Sequence, residues 1–243
     1  MNLEFTVNRV EYKVPEYIDI ETFEKAIVWN LDDLQNLKPF VATIVGCPLS
    51  VIDKLDEEVL AFITGTCLQK IQVHESPLEH VIGNYNLVSL ESISFGEWID
   101  LDTYMSIGPG ENLSKIVRIL YGIPQDRIAD PLHWDANLVW GAVKDLAQWR
   151  GQVYKEYDEF FDLGQGEDKS PNAEEDQAEE ANIQLMWWEC CMALADGDFL
   201  KIHQVVERPW REALNFLTWK KAQVQKEKLQ NLKRKNDIQR RTR

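Results

Sequence analysis

Residues 158–180 carry ten acidic side chains against one Lys, and after Phe161 they hold only Leu163 as a large apolar residue. Such a stretch cannot bury enough apolar surface to offset the entropy lost on ordering it. Gly164, Gly166, Ser170, Pro171 and Asn172 add turn and linker chemistry. The 243-residue chain is therefore read as two folded regions, 1–163 and 181–243, joined by a mobile acidic linker over 164–180. Apolar residues make up 44 % of the sequence and aromatics 10 %, which supports a core of ordinary size. Nine tryptophans are many for this length, and most are read as core residues that each carry one polar N–H.

The N-terminal region opens with alternation: Leu3, Phe5 and Val7, then Val10, Tyr12 and Val14. With Asn8-Arg9 as the turn and Pro15 as the stop, residues 3–14 form a short β-hairpin. A lone hairpin is marginal and needs a helix to pack on. Asp19 caps that helix, and Phe23, Ala26 and Ile27 are its apolar stripe. Pro48 opens one or two helices over 48–71, with Leu55, Val59, Leu60, Phe62 and Ile63 near 3.6-residue spacing. In 72–94 the pattern is mixed and gives short strands or loops around Val81-Ile82 and Leu87-Val88. A helix over 94–104 carries Phe95, Trp98, Ile99, Leu101 and Tyr104, and Gly108-Pro109-Gly110 breaks the chain after it. Asn112 caps the next helix, which turns Leu113, Ile116, Val117, Leu120 and Tyr121 inward and stops at Gly122 and Pro124. A long helix follows over 135–161 with Trp140, Trp149, Tyr154, Tyr157 and Phe160.

Beyond the linker, a helix over 183–195 contains Leu185, Met186, Trp187, Trp188 and Cys191. Gly197 suits the left-handed position past its end, and Asp198 caps a helix running to about Val206. Pro209 opens the last helix, through Trp210, Leu214, Leu217 and Trp219 into a charged tail. The expected fold is mainly α (α+β), with a small N-terminal β-hairpin packed on helices and a C-terminal helical hairpin.

The formal net charge is −15, but residues 220–243 hold ten Lys and Arg against two Asp and Glu. That tail is net +8, so the rest of the chain carries −23. Nucleic-acid binding needs a basic footprint, so the acidic body argues against nucleic acid as the default partner. Lys233, Arg234, Lys235, Arg240 and Arg241 are the candidate electrostatic contacts, to the acidic body, an acidic partner or nucleic acid. The ordinary alternative is a solvated helix end. Cys47, Cys67, Cys190 and Cys191 lack C-x-x-C spacing, which fits small buried thiols in a reducing compartment. Residues 1–14 show no signal pattern, and no apolar run approaches the roughly 20 residues a bilayer span needs. The expectation is a cytoplasmic protein with no membrane partner.

Chemistry-bearing motifs are scarce. His74, His80, His133 and His203 sit in no metal or catalytic motif, and His74 and His80, six apart near Glu75 and Glu79, make weak ligand spacing. No nucleophile elbow, phosphate-binding glycine loop or dinucleotide fingerprint occurs. Asp196-Gly197-Asp198 lacks the ligand series of a calcium loop and reads as a turn. Carboxylate groupings such as Asp100 with Asp102, or Asp56 with Glu57 and Glu58, arise by chance among 41 acids. The expectation is a non-enzyme with no cofactor and no metal. Adjacent Trp187 and Trp188 point about 100° apart on a helix, so one ring can enter the core while the other either packs half-buried against the other domain or faces a partner; the ordinary alternative is that both rings pack inside. Trp98, Tyr104 and Trp210 complete the candidate partner contacts.

Two segments resemble patterns of tailed-bacteriophage proteins. Phe95-Gly96-Glu97-Trp98-Ile99-Asp100-Leu101-Asp102, followed by the 112–121 helix ending Ile119-Leu120-Tyr121, is similar to a G-E-[FW]-I-D-L-[DE] helix with a second helix ending I-L-Y. Trp188 through Ala195-Asp196-Gly197-Asp198, with Pro209 and Leu214, is similar to a W…L-A-x-G-D…P…A-L pattern of the same kind of protein. The layout of helical domain, acidic linker and smaller C-terminal domain resembles phage tail assembly chaperones. That resemblance implies a non-catalytic assembly factor, acting in host cytoplasm and binding a tail tube, tape-measure or similar virion subunit. The alternatives are a structural component of the mature virion (tail, baseplate or neck) and a nucleic-acid-binding accessory protein using the basic tail.

Overall fold

The computed structural model describes residues 3–31, 33–71, 76–127, 130–161 and 173–241, with side chains throughout except at 34, 173–181 and 235–241. Strands β1 (Glu4–Val7) and β2 (Val10–Lys13) precede helices α1 (Ile20–Ile27), α2 (Leu34–Val45), α3 (Leu49–Ile52) and α4 (Glu57–Ile71). Strands β3 (Val81–Ile82) and β4 (Tyr85–Asn86) lead to α5 (Phe95–Ile107), α6 (Leu113–Leu120), α7 (Ala136–Glu156) and the single turn α8 (Asp158–Phe161). The chain closes with α9 (Ala173–Leu194), α10 (Ile202–Val206) and α11 (Trp210–Arg241). The protein is thus mainly α, with a small N-terminal hairpin and a helical C-terminal region.

Two compact units partition these elements, Met1–Ser89 with Tyr104–Ala147 and Leu90–Thr103 with Gln148–Arg243. They are not the successive regions 1–163 and 181–243, because residues of α5 and α7 fall in both. Composition marks where a chain cannot pack, and says little about which packed segments share a core. Helix α9 begins at Ala173, so the last eight residues of the expected linker are helical. Residues 164–172 lie outside the described residues.

In the first unit, Asn8 and Arg9 both take positive φ (50° and 68°), the two-residue turn whose twist matches a hairpin. The register places Phe5 opposite Tyr12, with their rings stacked 5.6 Å apart. Val7 and Val14 are buried, whereas Val10 is exposed. Asp19 Oδ1 accepts from the Thr22 amide (2.8 Å) and caps α1, which buries Ile20, Phe23 and Ala26. Ile27, expected on that stripe, is instead 40 % exposed.

Helix α2 was not legible, because Pro39 sits inside it and removes one of its backbone donors. The helix forms nonetheless. Asp33 caps one end, Gly46 ends it at φ 69°, and Phe40, Val41 and Ile44 are buried. On α4 the buried residues are Ile63, Thr64 and Cys67, while Val59 and Phe62, expected inside, are exposed. Of the strand-or-loop segments, Val81-Ile82 is the strand β3, paired with β4, and Leu87-Val88 is loop, with the Val88 amide donating to the Leu120 carbonyl.

Asn112 precedes α6 without capping it. Its Nδ2 donates to the Gly108 carbonyl, and Glu24 Oε1 on α1 accepts from the Ser114 amide at 2.6 Å. A carboxylate from another helix thus fills the cap's place, and Leu113, Ile116, Val117 and Leu120 are buried as the spacing predicts. Gly141 on α7 is required by close approach, since a Cβ there would overlap the Pro77 carbonyl oxygen.

Candidate functional site

The second unit gathers the aromatic residues that the sequence marks as candidates. A reciprocal cap starts α5: the Ser94 amide donates to Glu97 Oε2 (2.7 Å), and the Glu97 amide donates to Ser94 Oγ (3.2 Å). The Phe95 amide donates to the Arg208 carbonyl (2.7 Å), which ties the start of α5 to the start of α11. Trp98 on α5 then stacks on Trp210 of α11, with centroids 5.6 Å apart. Trp149 of α7 meets both edge-on, at 5.2 and 5.0 Å. Trp187 of α9 stands edge-on to Phe95 and Trp98.

Asp102, one turn beyond Trp98, is 1 % exposed. Its Oδ1 accepts from Arg150 Nε and from the Tyr154 hydroxyl, each at 2.7 Å, and its Oδ2 accepts from Trp187 Nε1 at 3.0 Å. Arg150 also lies over the Tyr154 ring at 4.8 Å. Burial works against the Arg150 charge, but Asp102 and Tyr154 more than offset it and hold the guanidinium protonated. Burial, reinforced by the Asp102 charge, pushes the Tyr154 phenol above its usual range. Three donors from two other helices occupy this carboxylate, so its role is to fix α9 and α7 on α5. Proton transfer to a substrate would require breaking those bonds.

Trp98, Trp187 and Trp210 are therefore core residues and not the surface contacts proposed for them; they are 1 %, 2 % and 0 % exposed. Trp188 is 53 % exposed, on the far side of the helix step that buries its neighbour. Tyr104 belongs to the first unit and is half-buried, with Lys115 Nζ 5.1 Å above its ring. Lys233 and Arg234 are exposed on α11, and the side chains of Lys235, Arg240 and Arg241 lie outside the described residues.

The structure adds contacts that the sequence reading missed. Trp219 is 55 % exposed, because two residues of helix rotate it about 200° away from the buried Leu217. It packs on Phe216, at 5.5 Å, and Phe216 is 43 % exposed. Phe199 and Leu200 are also exposed, in the 3₁₀ turn after Asp198. Reading α11 strictly by 100° steps from Trp210, Leu214 and Leu217 would have placed both rings outward. Next to Phe216 lies a groove of about 440 Å³, floored by Leu194, Val205 and Ala213 and edged by Lys201 and Arg208.

Asp196 and Gly197 take φ 51° and 78°, and Asp198 Oδ1 accepts from the Leu200 amide, so this segment is the inter-helix turn the sequence predicts. Cys190 and Cys191 are buried, and burial pushes the Cys190 thiol up to about 12, which suppresses the reactive thiolate. His80, His133 and His203 are exposed, and His74 lies outside the described residues. Among the described residues, no three His, Cys, Asp or Glu side chains are grouped to hold a metal ion, and no helix is long and apolar enough to cross a membrane. No family model matches the chain, and neither a curated protein nor a solved structure matches it.

Proposed function

We propose that this protein is a non-catalytic assembly factor of a tailed phage, similar to the tail assembly chaperones, which captures a tail tube, tape-measure or other virion structural subunit in the host cytoplasm. The observation that carries the binding role is the Trp187–Trp188 pair. Trp187 is buried and hydrogen-bonded to Asp102, so the helix that bears Trp188 is held rigidly while the Trp188 ring stands out. A large aromatic presented on a fixed support loses little conformational entropy on binding, and such residues dominate interfaces. Phe216 and Trp219 extend the same kind of surface on α11. The phage assignment rests on the resemblance of residues 95–121 and 188–214.

The test is affinity purification of the tagged protein from phage-producing cells, with protein identification in the eluate and in purified particles. The proposal expects a virion structural subunit in the eluate and this protein absent from particles. Trp188→Ala should weaken capture about tenfold or more, as truncation of an anchoring Trp does, while stability stays within about 0.5 kcal/mol. Unchanged capture by Trp188→Ala would remove that residue from the interface. Fixed stoichiometry in particles would instead make the protein a mature virion component. Exposed Lys233 and Arg234 favour one other reading, a nucleic-acid accessory role, which requires binding that falls steeply with salt and vanishes without residues 220–243.

A further inference from the structure

Helix α11 is 32 residues long, and its support within its own unit ends early. Leu217 is the last buried residue of the helix among the described side chains, and Lys221 Nζ donates to the Phe160 carbonyl at 2.9 Å. From Val224 to Arg234 every residue is exposed. A helix of this length exposed on all sides is marginal in water unless something else covers it.

The exposed part has a pattern. At 100° per residue, Ala222, Gln225, Leu229 and Leu232 fall within an arc of about 80°. Leu229 and Leu232 are 61 % and 58 % exposed. Lys228 borders this arc on one side, and Lys226 and Lys233 border it on the other. In heptad terms the stripe occupies the two seam positions and the lysines the two flanking ones. Cations in the last turn of a helix complement its dipole, but Lys226 and Lys233 lie two turns or more before Arg241, beyond the reach of that effect.

We propose that the exposed stretch 224–234 of α11 is a docking face for an acidic amphipathic helix of another protein. The partner packs its apolar stripe on Leu229 and Leu232 and sets Asp or Glu opposite Lys226, Lys228 and Lys233. Charge complementarity selects this occupant. A second copy of α11, parallel or antiparallel, would bring lysine against lysine along both borders of the seam. A phosphate backbone would use the lysines and leave the leucines in water. This face is separate from Trp188 and Trp219, so it stands or falls independently of the aromatic surface.

The test titrates the full-length protein, by fluorescence anisotropy at physiological ionic strength, against a synthetic helical peptide with Leu at its seam and Glu at both borders. A scrambled peptide of the same composition, a Lys-bordered version and a DNA duplex serve as comparisons. The Glu-bordered peptide should bind at least about tenfold tighter than the scrambled one. The double substitution Leu229→Gln and Leu232→Gln, which keeps charge and helix propensity, should erase that preference. Reversing Lys226, Lys228 and Lys233 to Glu should transfer the preference to the Lys-bordered peptide. Equal binding of ordered and scrambled peptides on the unaltered protein would overturn the proposal. Duplex binding insensitive to the Leu substitutions, or self-association abolished by them, would assign the face to nucleic acid or to a second copy and overturn it equally.

Discussion

The two units bury different chemistry. The first buries mostly aliphatic side chains, Ile18, Ile20, Val41, Ile52, Ile63, Ile116 and Val117 among them, with Phe23, Phe40 and Tyr121 beside them. The second is built on Trp98, Trp187 and Trp210 around a buried carboxylate. Aliphatic groups are held by volume and tolerate small changes of orientation. Indole rings add edge-to-face geometry and an N–H that needs an acceptor. The second unit should accordingly be sensitive to polarity at its core where the aliphatic positions of the first are sensitive to size.

The largest effect is expected at Asp102. Asp102→Ala removes the carboxylate paired with the part-buried Arg150 guanidinium and the acceptor of both the Tyr154 hydroxyl and Trp187 Nε1. Removing one partner of a buried ion pair costs about 3–5 kcal/mol. Ile116→Val, a deletion of one methyl group in the first unit, costs about 0.5–1.5 kcal/mol. Urea midpoints at unchanged m values measure both. A smaller loss for Asp102→Ala than for Ile116→Val would mean that packing dominates both units and that the contrast between them is false.

A finer test stays within the aromatic core. Trp98→Phe and Trp187→Phe delete the same atoms from buried sites. The Trp98 N–H has no hydrogen-bond acceptor among the described residues, whereas the Trp187 N–H donates to Asp102 Oδ2. Trp187→Phe should therefore be the more destabilising by about 1–3 kcal/mol, the cost of a stranded buried acceptor. Equal losses would show that the Trp187 bond contributes nothing beyond its ring.

Periodicity made much of this legible. The hairpin with its Asn8-Arg9 turn, the inward stripe of α6, the α9 turn at Gly197 and the start of α11 after Pro209 all follow from spacing and from residues with one conformational use. Helix α2 stayed hidden because Pro39 argues locally against a helix that Phe40, Val41 and Ile44 stabilise through burial. Tertiary contacts decided the N-terminal cap of α6, where Glu24 of a distant helix does what Asn112 was expected to do. At the candidate site, the Trp187–Trp188 split is visible in the sequence, but not which ring goes inside. That depends on Asp102, 85 residues away in the chain, whose need for donors no local pattern reveals.

The smallest predicted effect concerns surface charge. In the second unit Arg211 bonds Glu91 through Nε and Nη2 (3.0 and 3.1 Å) and Glu156 through Nη1 (2.7 Å). The side-chain hydrogen bond from Arg211 holds the Glu91 carboxyl below its usual range. A carboxyl depressed in the folded state binds fewer protons there than in the unfolded chain. Its contribution is therefore complete above the ordinary Glu value and fades as pH falls through the lower folded value. Both side chains are more than a third exposed, so solvent screening limits the effect to under about 1 kcal/mol. The stability difference between the unaltered protein and Arg211→Gln should be largest near neutral pH, shrink on acidification and weaken with salt. In the first unit, Lys38→Gln breaks an exposed pair with Asp53 that has one hydrogen bond and, among the described residues, no second carboxylate at the cation, and its effect should be smaller. If Lys38→Gln matched Arg211→Gln at neutral pH, the two-carboxylate arrangement around Arg211 would add nothing to a simple pair, and the contrast between the units would be confined to their cores.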